Sequence, residues 1–231
     1  MSSISIFGWV RPFGKNTIAA AAALPQNEAM YKKQRIEALS DGIFAIAMTL
    51  LVLDLKVPTT FPHGQVWAAI KPEWEQWISF ALTFGLAARF WTLQHDVFQA
   101  VETVGRSALI STFAFLGLIS ILPYTTSLLG AHFSDPSVLT LYFIHEFAIA
   151  AVLALKLELC RAHGHIHNDA NLLSLRVRLY GMCASLVACL FGVWLLPLRW
   201  LFAAPVGMGV LQRRVSAHLR RNEPKQQSLP E

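Results

Sequence analysis

Long apolar blocks separated by short polar or charged stretches divide the chain from residue 36 onward. A helix crossing roughly 30 Å of hydrocarbon at 1.5 Å per residue needs about 20 residues. Four blocks each fit one crossing: Ile36–Leu55, Trp77–Val97, Ser107–Leu129 and Val138–Leu157. A fifth, Leu179–Leu211, is too long for one crossing at ordinary tilt. Pro197 and Arg199 interrupt it within "LLPLRW", which predicts two short helices joined by a tight turn. The pattern therefore predicts an all-α protein with six transmembrane helices and no internal repeat. Residues 1–34 read as a flexible cytoplasmic extension, 35–215 as the transmembrane domain and 216–231 as a disordered cytoplasmic tail.

The first block does not begin as a membrane helix should. "RIEALSDGIFAIAMTLLVLDL" opens with Arg35, Glu37, Ser40 and Asp41 before its aliphatic run starts. Each helical residue turns about 100°, so with Arg35 at zero, Leu53 falls near 0°, Ile46 near 20° and Leu50 near 60°. Asp41 falls near 240° on the same count, well away from that stripe. The carboxylate is expected to face neighbouring helices of its own bundle, and the aliphatic stripe to face something else. Buried carboxylates in membranes find partners. The second helix, running back, brings "RFWTLQH" to the same depth, with Trp91 and His95 four residues apart on one face. Periodicity leaves two arrangements open. Arg35, Ser40, Asp41, Trp91 and His95 form one hydrogen-bonded cluster, or Arg35 meets lipid headgroups and His95 lies in the interface.

Composition agrees with a membrane protein. Hydrophobic residues make up 55% of the 231 and charged residues only 14%, against about 25% charged in a soluble domain. With the N-terminus inside and six crossings, 16 of the 19 lysines and arginines fall on the inner side, leaving Lys56, Lys71 and Arg199 outside. Basic residues gather in cytoplasmic loops, so both termini are expected to be cytoplasmic. The net charge of +5 thus reflects topology and gives no reason to expect nucleic acid. Cys160, Cys183 and Cys189 lack metal-type spacing and read as small buried hydrophobes. "RAHGHIHND" offers His163, His165 and His167; alternation in a short loop reads as a solvated surface rather than a metal site. No metal, phosphate-binding or nucleophile motif supports an enzyme or a cofactor.

The first-helix residues Arg35, Ser40, Asp41 and Gly42, followed by "FAIAMTLLVLDLKVP", resemble the signature of the transmembrane protein 175 family, the endosomal and lysosomal potassium channels and their bacterial relatives. Trp91 with His95, and "LPYTTSLLG" at Leu122–Gly130, add to the likeness, while Leu39 stands where the family usually has phenylalanine. The resemblance implies a homotetramer in the bacterial plasma membrane with four first helices around a central pore. It implies a channel passing potassium, and other monovalent cations less well, without the "TVGYG" filter, which this sequence lacks. Carried over by position, the constriction falls on Ile46, Leu50 and Leu53, with Thr49 as a polar layer beside them. Arg35, Ser40, Asp41, Trp91 and His95 would form the structural polar network.

His145 and Glu146, near the middle of the fourth helix, are a default functional hypothesis for ionisable groups in a membrane: they modulate activity, or pair structurally with another helix. Asp54, at the outer end of the first helix, either gathers cations at the mouth or is an ordinary interfacial residue. The competing function is a proton-coupled secondary transporter using Asp41, His145 and Glu146. It lacks the repeats and the paired broken helices common in such proteins.

Overall fold

The computed structural model describes residues 33–56, 63–64, 73–101, 105–163, 166 and 172–195. Within them the chain is all-helical: α1 (Lys33–Leu50), α2 (Trp74–Ala100), α3 (Arg106–Ala131), α4 (Pro136–Ala162) and α5 (Leu172–Leu195), with a 3₁₀ turn at Leu51–Asp54 extending α1. Four segments are long and apolar enough to cross a membrane: α1 with its 3₁₀ turn, α3, α4 and α5. With 27 residues, α2 has the length to cross but not the apolarity, because Arg89, Gln94 and His95 interrupt its hydrophobic run.

The expectation of six helices is corrected accordingly: the described residues hold five, of which four meet the criteria for a span. The predicted sixth helix and the "LLPLRW" turn fall within 196–231, outside the described residues, as do most of the N-terminal extension and the C-terminal tail. Placing the C-terminus inside rested on that sixth crossing. The fifth helix also begins earlier than its apolar block, at Leu172, so Arg176 and Arg178 lie within a helix and not in a loop. The reason is pairing with acids on other helices. Arg178 Nη1 donates to Asp96 Oδ2 of α2 at 2.6 Å, and Arg176 Nε lies 2.8 Å from Glu158 Oε1 of α4. Paired with acids, both arginines ride on a helix that continues past the apolar zone.

The helices alternate in direction. At one end Lys33 Nζ donates to the Val101 carbonyl at 2.9 Å, placing the start of α1 beside the end of α2. At the other end the Lys56 amide donates to Gln76 Oε1 at 3.3 Å. Gly130 of α3 closes against the same turn: an added Cβ would lie 3.4 Å from the Gln76 Cα. Asp135 caps α4 by accepting from the Ser137 amide at 2.8 Å, with Pro136 in the first turn, where its missing N–H costs nothing. The central helix is α3, which touches α1, α2 and α4. Its Phe115 lies 5.9 Å from Phe44 of α1 and 6.5 Å from Phe90 of α2, ring centre to ring centre.

Candidate functional site, an uncovered helix face and a polar cavity

Two faces of α1 meet different surroundings. Ile36, Phe44, Ala47 and Leu51 recur at helical spacing and pack into the bundle, with Phe44 1% and Leu51 0% exposed. The face carrying Ile46, Leu50 and Leu53 is left uncovered, at 62%, 41% and 72% exposed. Thr49 shares this face, its hydroxyl donating to the Ile46 carbonyl at 2.8 Å. The 100° count assumed an α-helix through Leu53. In the 3₁₀ turn beginning at Leu51, residues three apart eclipse, so Leu53 comes into line with Leu50 and the stripe is retained. Val52, 48% exposed, broadens it. Asp54 lies beyond the stripe and lines a shallow cavity with Lys56, Gln76 and Thr126.

A second feature sits at the start of α1. A cavity of about 80 Å³ opens between α1 and α2, lined by Glu37, Ser40, Asp41, Trp91, Gln94 and His95, together with Phe98. Trp91 Nε1 donates to Asp41 Oδ1 at 2.9 Å. The His95 ring stacks on Trp91, centroids 5.9 Å apart and planes 16° from parallel, and accepts from Gln99 Nε2 at 2.9 Å. The one-turn spacing of Trp91, His95 and Gln99 builds this column along one edge of α2. Of the five polar residues grouped from the sequence, Asp41, Trp91 and His95 are in direct contact. Ser40 lines the same cavity but makes no hydrogen bond. Arg35 is exposed and does not line that cavity.

His145 and Glu146 point into the bundle. The imidazole contacts the Thr125 hydroxyl through Nδ1 and the Leu118 carbonyl through Nε2, both at 3.1 Å, which ties α4 to α3. Glu146 is fully buried. Among the described residues no group of three or more His, Cys, Asp or Glu side chains could hold a metal ion, and His165 and His167 lie outside them. Reasoning from the sequence missed four buried residues that carry polar groups. Gln94 is 1% exposed, and neither of its amide atoms has a hydrogen-bond partner. The Lys156 ammonium sits 3.6 Å from the Phe98 ring centroid, a cation–π contact inside the protein. Thr83 and Tyr142 share a 3.0 Å hydrogen bond between α2 and α4. For Gln94 a signal existed: a lone amide between Trp91 and His95 in an apolar run.

Comparison with known proteins bears on the fold and the family likeness. Residues 35–123 match the family model described as "Endosomal/lysosomal potassium channel TMEM175". The chain is 33% identical over 106 residues to a potassium channel of Streptomyces collinus, covering 46% of this chain and 52% of that protein. It is 35% identical over 109 residues to a potassium channel of a Chryseobacterium species, covering 47% and 55%. It thus spans about half the length of these curated relatives. In fold it is similar to the crystal structure of a lysosomal potassium-selective channel TMEM175 homolog from Chamaesiphon minutus, with TM-score 0.68 and 21% identity over 80% of this chain and 97% of that one. In sequence over residues 35–123, and in overall fold, the chain is similar to the TMEM175 family.

Proposed function

We propose that this protein is a potassium-permeable cation channel, a homotetramer in which four copies of α1 line a central pore in a bacterial plasma membrane. The observation that carries the reading is the uncovered row Ile46, Leu50 and Leu53 on a helix whose opposite face is fully packed. Two bacterial relatives, matched over about half of this chain, are named potassium channels. Four-fold symmetry turns each residue of the row into a closed ring. An aliphatic ring offers an ion no ligand, so passage costs part of its water shell. Potassium holds that shell less tightly than sodium and pays the smaller penalty, and rings of this kind also gate by dewetting. Selectivity without a carbonyl filter is expected to be modest. Thr49 places a hydroxyl beside the rings. The end of the bundle rich in basic residues, where Lys33, Arg35, Arg106, Arg161, Arg176 and Arg178 lie, faces the cytoplasm on the positive-inside rule.

Planar-bilayer recording with potassium and sodium gradients tests the proposal. Ile46→Asn should raise conductance and lower the preference for potassium, because the ring widens and wets. If Ile46→Asn leaves both as in the parent protein, α1 does not line the pore and the mechanism fails.

A further inference from the structure

We propose that the cavity between α1 and α2 is a binding site for a partly hydrated monovalent cation, held by Glu37, Ser40, Asp41 and Gln94. Three observations converge on it. The Ser40 hydroxyl and both amide atoms of Gln94 are buried without any hydrogen-bond partner, and both residues line this cavity at 2% and 1% exposure. Buried polar groups in native proteins are almost always satisfied, and one that is not calls for a bound water or ion. The two carboxylates of the lining retain acceptor capacity. Asp41 accepts from Trp91 Nε1 through Oδ1, and Glu37 meets Lys33 at 3.9 Å, an ion-pair distance longer than a hydrogen bond. Finally, the volume of about 80 Å³ leaves room for a small ion together with water.

The chemistry selects among occupants. Two carboxylates repel an anion. The proposed ligands are oxygens of two carboxylates, a hydroxyl and an amide, so hard cations are favoured over transition metals. A bare ion would satisfy Ser40 Oγ and Gln94 Oε1 but leave Gln94 Nε2 without an acceptor. An ion that keeps some of its water satisfies all three, since a shell water turned toward Nε2 can accept from it. The site lies one turn and a half along α1 from Ile46, about 7.5 Å at 1.5 Å per residue. If α1 lines a pore, the pocket holds a cation at the depth of its cytoplasmic end, on the side of α1 turned away from the stripe. That role rests on the channel reading, whereas occupancy does not.

The experiment reads binding, not current, so failure of this site and failure of the channel reading are distinguishable. Crystals of the full chain are exchanged from potassium into thallium(I), and anomalous scattering is mapped in the parent protein, in Glu37→Gln and in Gln94→Leu. The expected result is one peak per chain inside the cavity, weakened in Glu37→Gln and lost in Gln94→Leu. A cavity holding water alone overturns the proposal, and so does a peak that both variants retain. Should Gln94→Leu fail to fold, thermal melting of the parent and of Glu37→Gln supplies the second measurement. Replacing a large organic cation with potassium at constant ionic strength should raise the Tm of the parent by stabilising the occupied state, and raise that of Glu37→Gln less. Equal shifts in the two proteins overturn the assignment.

Discussion

Asp41 occupies an exposed position on α1, yet the Trp91 indole holds it at 2.9 Å. Replacing it with alanine leaves the indole N–H without its partner. Because Trp91 is 42% exposed, water can compensate in part, and the expected cost is about 1 kcal/mol, below the ~1.5–3 kcal/mol of hydrogen bonds to charged groups. Asp41→Ala should therefore lower Tm and tetramer yield on size exclusion more than it changes selectivity. A well-assembled Asp41→Ala protein with altered potassium-over-sodium preference would contradict this placement. The angular count separated Asp41 from the Ile46 stripe because both lie in regular helix. It could not find the unpartnered state of Gln94, since whether an amide meets a donor depends on which helix lies opposite.

At the scale of the helix, α1 sets up a contrast between near neighbours. Phe44 is buried against Phe115, while Ile46, two residues on, is 62% exposed. Phe44→Ala should destabilise by about 3–5 kcal/mol, as for other aromatic truncations in packed interiors. Ile46→Ala should cost little stability and act on conductance instead. Denaturant melts of the two variants beside current recordings check the pair, and equal destabilisation by both would mean that Ile46 is packed after all. The junction of α2 and α5 offers a second test. Arg178 and Asp96 are bonded at 2.6 Å with side chains 21% and 27% exposed. After allowance for solvent screening, a double-mutant cycle should give a coupling of about 1 kcal/mol that shrinks with salt. A coupling of zero at low salt would refute a stabilising role. Because the bond joins residues far apart in the sequence, the early start of α5 could not be read from its apolar block.

For the whole molecule, the uncovered face of α1 becomes a prediction about assembly. In a tetramer with α1 on the axis, Ile46→Cys places four thiols around one ring, and mild oxidation should produce covalent dimers on denaturing gels. Ala47→Cys should not, because Ala47 is 3% exposed and faces the interior of its own bundle. Crosslinking through position 47 and not 46 would reverse the assignment of the two faces. The contact between the start of α1 and the end of α2, made by Lys33 and Val101, sets the two segments side by side, so the cavity is a property of the packed pair and of neither helix alone.

Apolar run length and 3.6-residue periodicity determined that the chain is a helical membrane protein, where its first four long helices lie, and which face of α1 differs from the rest. These are local properties, set by hydrocarbon thickness and by the geometry of one helix, and so are written in consecutive residues. Tertiary structure decided what those faces meet. It put Leu51 in the core and Leu53 outside through a 3₁₀ turn, drew Arg176 and Arg178 into α5 by pairing them with distant acids, and enclosed Ser40 and Gln94 together. Apolarity alone does not decide how far a helix runs beyond the membrane, because that depends on contacts with other helices.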